Sequence, residues 1–361
     1  MSASGESPEH TLEILNIVPM RGPLAIAVPS NDNAVTLAGE EINSGSGILG
    51  REIRVTTIDG GRSPHQVAEE ISALLATGMV HAITGWHTSS VRMAVAEANA
   101  GRVPFVYAAC HEGLPTPPGL LMLGEHPAEH ALAAVAWARR ELGVRRWAII
   151  GADYIWPREL AKAVRRECGG RDAVVLERFM PQGADDFTAF LDHPDLDAAE
   201  GVLVLLLGAD AAAFNRQFAA AGRDEHQVRI GPSVDENVLL AGGPSAHRNL
   251  YVPSSFFVDE CPGGDLKLRY RRRFGTFAPE LTTFSKAGYE ALHTLRAVAE
   301  AAGSLEVPEI ERAMRRGPAF EAPDGLCFFR GHQAVRPSHL ARVEGVDFEI
   351  VDTLRTAGLR P

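Results

Sequence analysis

The chain is predicted to fold as two α/β lobes, each with a parallel-dominated sheet covered by helices. Two observations carry this expectation. Short apolar runs of strand length alternate with helical patterns along the chain, the rhythm of βαβ units. The length of 361 residues exceeds one core of ordinary size and suits two lobes of roughly 150 to 200 residues each. A composition 45% hydrophobic and 22% charged excludes disordered, collagenous and low-complexity chains.

In the first series Leu12 to Val18 reads as a strand, Asp32 to Asn43 as a helix, Ile53 to Ile58 as a strand and Pro64 to Leu75 as a helix. Strands at Val80 to Thr84 and Val103 to Ala108 follow, with a helix at Ser89 to Asn99 between them. The second series has helices at Pro127 to Leu142, Pro157 to Cys168, Asp185 to Leu191 and Ala209 to Ala221. Its strands are Trp147 to Gly151, Val174 to Phe179 and Gly201 to Leu207. After a strand-like Leu250 to Pro253, residues 254–264 read as a connector. Helices at Asp265 to Phe274, Thr283 to Ala302 and Pro308 to Arg315 precede a tail rich in glycine and proline.

The formal net charge of −11, with no basic stripe, opposes phosphate backbones and anionic membranes, so direct nucleic-acid binding is not expected. Cys110, Cys168, Cys261 and Cys327 form no CxxC pair and suit a reducing compartment. The N-terminus has neither the basic nor the apolar region of an export signal, and no apolar run is long enough to span a membrane. A soluble, cytoplasmic protein is the expectation.

Three motifs yield to plainer readings. Gly45 to Gly50 matches GxGxxG but lies between a helix and a strand, the reverse of the dinucleotide-binding order, and reads as a turn. His126 to His130 matches HxxEH, yet Pro127 belongs at a helix start and makes His126 a cap, leaving two solvent-exposed histidines and no metal site. Arg269 to Arg273, the sole short basic cluster, reads as a solvated helix face. No cofactor is expected.

Polar and aromatic residues crowd the C-terminal ends of three strands, where open α/β sheets place their ligands. The segments are Gly85-Trp-His-Thr-Ser-Ser90, Tyr107-Ala-Ala-Cys-His-Glu-Gly113 and Gly151-Ala-Asp-Tyr-Ile-Trp-Pro-Arg158. Two belong to the first lobe and one to the second, which describes either a cleft between hinged lobes or ordinary loop ends whose aromatics pack beneath helices.

From about Leu12 to Val351 the chain resembles the type I periplasmic-binding proteins, and within them the amide and urea receptor (AmiC-like) branch. The likeness rests on EEINSGSGILGREIRVTTIDGG, the 84–90 loop, YAACHEGL, GADYIWPREL and FEAPDGLCFF, with DYIWPR its most specific piece. It implies two lobes joined by three crossings: residues 11–124 with 254–328, and 125–253 with 329–361, after a flexible N-terminus at 1–10. It also implies a ligand site at Trp86, His87, Ser89, Tyr107, Ala109, Cys110, His111, Tyr154, Trp156, Gly208 and Ser233. His87 and Trp156 stand where that branch usually has tyrosine, and Ala109-Cys110 where the amide sensor has Thr-Pro. Ser233 aligns with the acid that amino-acid binders use for an ammonium, while Asp210, Asp235 and Glu236 keep an amino-acid ligand in view.

The resemblance thus implies a non-enzymatic receptor that closes on a small amide-like or urea-like ligand, which an aromatic cage with a few hydroxyls could hold. Without an export signal it further implies a cytoplasmic sensor acting on a regulatory partner of the transcription-antitermination type. A trimmed N-terminus would instead imply a periplasmic or extracellular component of an ABC transporter for amides, urea or branched-chain amino acids. An α/β enzyme using His87, His111 and Glu112 as acid–base groups is the remaining alternative. The sequence leaves homo-oligomer formation open.

Overall fold

In this computed structural model, residues 11–169, 172–258, 265–317, 319–322 and 325–354 are described. The segment 1–10 expected to be flexible, Cys261 with its neighbours in the expected connector, and the end of the second lobe at 355–361 lie outside these residues.

Two sheets organise the chain. Strands β1 (Thr11–Val18), β2 (Glu52–Asp59), β3 (Val80–Gly85), β4 (Phe105–Tyr107) and β5 (Leu120–Met122) run parallel. Helices α1 (Val28–Ser44), α2 (Pro64–Ala76) and α3 (Ser89–Asn99) connect the first four. β1, flanked by β3 and β2, is buried along most of its length, as its largely apolar run requires of a strand covered on both faces, whereas the edge strand β2 keeps exposed polar positions. The second sheet contains β6 (Arg146–Ala152), β7 (Ala173–Met180), β8 (Gly201–Leu205), β9 (Val228–Ile230) and β10 (Leu250–Ser254), all parallel. Helices α4 (Ala131–Trp137), α5 (Ile155–Glu167), α6 (Thr188–Leu191), α7 (Gly208–Ala220) and α8 (Glu236–Gly242) cover it.

The chain then returns to the first lobe through α9 (Leu266–Phe274), α10 (Thr283–Ala302) and α11 (Val307–Met314). Strands β11 (Ala319–Ala322), β12 (Gly325–Arg330) and β13 (Gln333–Val335) extend the first sheet to the order β11-β12-β13-β5-β4-β3-β1-β2. A hairpin of β14 (Ser338–Glu344) and β15 (Asp347–Leu354) completes the second as β15-β14-β10-β9-β8-β6-β7. The expected cut at 328 therefore moves. Gly331, at φ +59°, turns β12 back onto β13, and β13 joins β5 at Gln333 and Met122, so the last crossing follows Val335.

The helix expected from Pro127 to Leu142 is broken into a 3₁₀ turn at Pro127–Glu129, α4 and a π turn at Ala138–Leu142. Its break falls at His130, which is buried, contrary to expectation, because its Nε2 bonds the Pro253 carbonyl at 2.7 Å. His126 caps the 3₁₀ turn by accepting from Ala128 N. Gly45 to Gly50 forms a helix-to-strand turn: Gly47 has φ +66°, and a side chain there would strike the Arg51 carbonyl. The arginines of α9 do not simply face solvent. Arg269 pairs with Glu41 and Asp265, Arg271 with Glu280 and Arg273 with Glu40, so the helix is pinned to α1 and to the following loop.

Candidate functional site

The three strand-end segments come together between the lobes. Ser89 is the first residue of α3, and its Oγ donates to Glu112 Oε2 at 2.6 Å. One turn later Arg92 also pairs with Glu112, and its guanidinium lies 5.1 Å from the centre of the Tyr107 ring. The Arg92 and Glu112 side chains are 6% and 0% exposed, so this is a buried pair. Burial pushes the Glu112 carboxyl up, but the hydrogen bonds and charge of Arg92 and the Ser89 hydroxyl outweigh it and hold it below its ordinary value. Tyr107 donates to the His87 carbonyl at 2.5 Å.

From the second lobe, Tyr154 caps the start of α5 and reaches this cluster. Its phenol is held well above the usual range by burial, and next by the neighbouring Cys110, Tyr107 and Glu112. Trp156 lies 2% exposed beneath it, with ring centroids 6.4 Å apart. Ser233, in the loop after β9, is 4% exposed and approaches Cys110; its Oγ has no hydrogen-bond partner among the described residues. Ala109, Cys110 and Ser233 line a cavity of about 30 Å³ that runs back to the hinge. Beyond Tyr154 a groove of about 530 Å³ opens at the cleft mouth, bordered by Gly22, Pro23, Thr88 and Gly183.

Hinge charges behind the cavity are matched internally. Glu125, on the first crossing, accepts from the Ser255 hydroxyl at 2.6 Å and the Ser255 amide at 3.2 Å on the second. Burial raises the Glu125 carboxyl, but His130, Ser255 and Arg336 together bring it down to about 2. Glu290 pairs with Lys286 at 2.7 Å and with Arg336, on the third crossing, at 2.8 Å.

Some expected site residues sit elsewhere. Trp86 is fully buried in the first lobe: its Nε1 donates to Asn31 Oδ1 at 2.8 Å and its ring lies 4.8 Å from Phe284, which makes it a core residue. Gly208 meets the first-lobe backbone at Pro23 and borders neither the cavity nor the groove. His111 packs edge-on against His126 at 5.7 Å, and its Nδ1 accepts from Gly113 N.

The acid–base alternative is not assembled. Glu112 spends its oxygens on Ser89 and Arg92, and burial lowers His87 to about 3 and His111 to about 4, so neither ring is a proton donor near neutrality. The acids that kept an amino-acid ligand in view are also engaged or set aside. Asp210 accepts from Gly183 N and Asp235 from Val238 N as the cap of α8, while Glu236 does not line the cavity. Sequence reasoning missed Arg92, Glu125, Lys286, Glu290 and Arg336. Each sits inside a helix or crossing with no motif around it.

A family model described as periplasmic binding protein matches residues 11–347. Among solved structures, the branched-chain amino acid transporter substrate-binding protein LivJ from Streptococcus pneumoniae, in complex with isoleucine, superposes with a TM-score of 0.79 at 20% identity, covering 95% of this chain and 99% of that one. A solute-binding protein of an ABC transporter from Rhodopseudomonas palustris, in complex with 3,4-dihydroxybenzoic acid, gives 0.80 at 22% identity, covering 97% and 99%. The leucine-binding protein LivK from Thermotoga maritima gives 0.82 at 18%, covering 96% and 100%. At these identities the likeness is one of fold.

Proposed function

Because the chain belongs to the periplasmic-binding-protein family, we propose that it is a receptor whose two lobes close on a small neutral polar ligand of the amide or urea class. One observation carries the ligand class: the charged groups around the cleft are matched within the protein. Glu112 is held by Arg92, Glu290 by Lys286 and Arg336, and Asp235 by the α8 amide it caps. Among the described residues the cations lining the cavity, Lys286 and Arg336, pair with Glu290, and the lining carboxyls of Glu125 and Asp235 accept from Ser255 and from the Val238 amide. An uncompensated ligand charge buried there would carry a large desolvation cost.

The hydrogen-bond polarity supports the same reading. Ser89 and Tyr107 have committed their hydrogens to Glu112 and to the His87 carbonyl, so their oxygens are left to accept. The Ser233 hydroxyl, beside Cys110 and without a hydrogen-bond partner among the described residues, can donate. An amide or urea offers N–H groups to the first pair and a carbonyl to the third. A ligand with greater affinity for the closed form adds to a closed population that exists without it.

The transporter substrate-binding proteins of like fold support delivery of the ligand to a membrane transporter from outside the cytoplasm. They lend nothing to the expected cytoplasmic sensor with its regulatory partner. Cell fractionation distinguishes the two locations. Among the described residues no helix is long and apolar enough to cross a membrane.

A thermal-shift series with acetamide, butyramide, urea, isoleucine and benzoate tests the ligand class. A ligand at about 100 times its Kd adds about 2.7 kcal/mol of stability. The expected outcome is a shift with amides or urea that Tyr154→Ala and Ser89→Ala each abolish. A shift confined to isoleucine or benzoate overturns the proposal.

A further inference from the structure

We infer that the closed form is held by a latch outside the ligand site, formed where the first-lobe turn Pro23–Ala27 seats on the start of α7, and that glycine at 208 is what lets the lobes shut. The inference rests on the reading of the protein as a closing receptor. Gly22, at φ +77°, turns the chain out of the β1 exit into this 3₁₀ turn. Gly208 opens α7 at φ +45°. A Cβ on Gly208 would overlap the Pro23 carbonyl oxygen, lie 2.7 Å from its carbonyl carbon and stand 3.2 Å from Leu24 Cα. All three atoms are backbone, so no side chain can swing aside to make room. Any residue other than glycine therefore separates the two lobes at this point.

Ile26, from the same turn, supplies the attraction. It belongs to the first-lobe chain yet packs against the apolar core of the second lobe, which includes Ala211, Ala212 and Phe214 of α7. The receiving surface is itself braced, since Asp210 of α7 takes the Gly183 amide at 2.8 Å and so holds the loop after β7. Gly22, Pro23 and Gly183 all border the groove at the cleft mouth, so a ligand passes the latch on its way in. Neither Pro23 nor Ile26 nor Gly208 lines the cavity beside Cys110 and Ser233. These are positioning residues: they set the population of the closed form, and ligand affinity scales with that population.

Small-angle scattering of the ligand-free full chain tests the latch with Gly208→Ala and Ile26→Ser, alongside Ile26→Val as the conservative control. The expected radius of gyration is roughly 21 Å for the wild type, that of a compact chain of this length. Gly208→Ala and Ile26→Ser give larger values with unchanged far-UV circular dichroism, and Ile26→Val returns to the wild-type value. Identical scattering from all four proteins overturns the latch. So does expansion in Ile26→Val equal to that in Ile26→Ser, because retained apolar contact would then make no difference. No ligand enters these measurements, so failure of the amide series and failure of the latch are separate results.

Discussion

Glu112 is the residue on which the first-lobe half of the site turns. It fixes Ser89, pairs with Arg92 and through Arg92 borders the Tyr107 ring, all without exposure of its own side chain. Glu112→Gln leaves the Arg92 guanidinium buried without a counter-charge, and losing one partner of a buried pair costs about 3 to 5 kcal/mol. A denaturant titration should show that loss, and a midpoint like the wild type's would contradict the pairing. Since the folded carboxyl lies below its ordinary value, its contribution is present above that value and is lost as pH falls through the lower one. The segments holding Ser89, Tyr107 and Tyr154 stood out in the sequence because polar and aromatic residues crowd strand ends, and the family resemblance picked out these three within them. Arg92 was not, because an arginine one turn into a helix looks like a solvated one until the distant Glu112 is placed beside it. Trp86 misled for the opposite reason: an aromatic at a strand end serves a core or a pocket equally well, and Asn31 with Phe284 decided it for the core.

Among elements, the contact between α1 and α10 covers the first sheet behind Trp86. Gly288 of α10 lets Asn31 approach so closely that a Cβ would overlap Asn31 Oδ1, the atom that accepts from Trp86. Gly288→Ala must push the two helices apart or break that hydrogen bond, with an overpacking cost of about 1 to 3 kcal/mol. Thermal unfolding should register it as a lower Tm, and a higher Tm, the usual gain from alanine in a helix, would show that the contact yields freely. Long helices were readable to within a few residues: α3 and α10 have the expected bounds because their apolar periodicity and caps agree. The three-residue strands β5 and β9 are too short for periodicity to show. The β11 to β15 hairpins hid in a stretch read only as a tail rich in glycine and proline, where Gly331 and Gly345, at φ +59° and +65°, are turns. The break before α4 was invisible because it depends on Pro253, 123 residues from His130.

Across the whole molecule, two sets of buried ionisable groups act in opposite directions on stability. In the first lobe, burial lowers His87 to about 3 and His111 to about 4, so the unfolded chain takes up more protons and stability falls as pH drops below the ordinary histidine value of about 6.5. In the second, burial raises Asp210 and Asp235 to about 6, and burial with the Asp235 charge raises Glu236 to about 8. Those folded carboxyls hold protons that the unfolded chain has released. Their contribution is complete below the ordinary carboxylate range and is lost as pH rises through the folded values. The two sets oppose one another between about pH 4 and 6.5; above 6.5 the histidine contribution fades as the unfolded rings lose their remaining protons, while the carboxyls go on titrating. Stability should therefore decline from pH 6.5 to 8.5, and Glu236, with neither carboxyl oxygen partnered among the described residues and with Asp235 and Glu280 as its charged neighbours, should account for most of the slope. Glu236→Gln removes that titration while keeping the shape of the side chain. Its Tm should stay level across the interval in which the wild type loses stability, and a variant as pH-sensitive as the wild type would place the titrating group elsewhere.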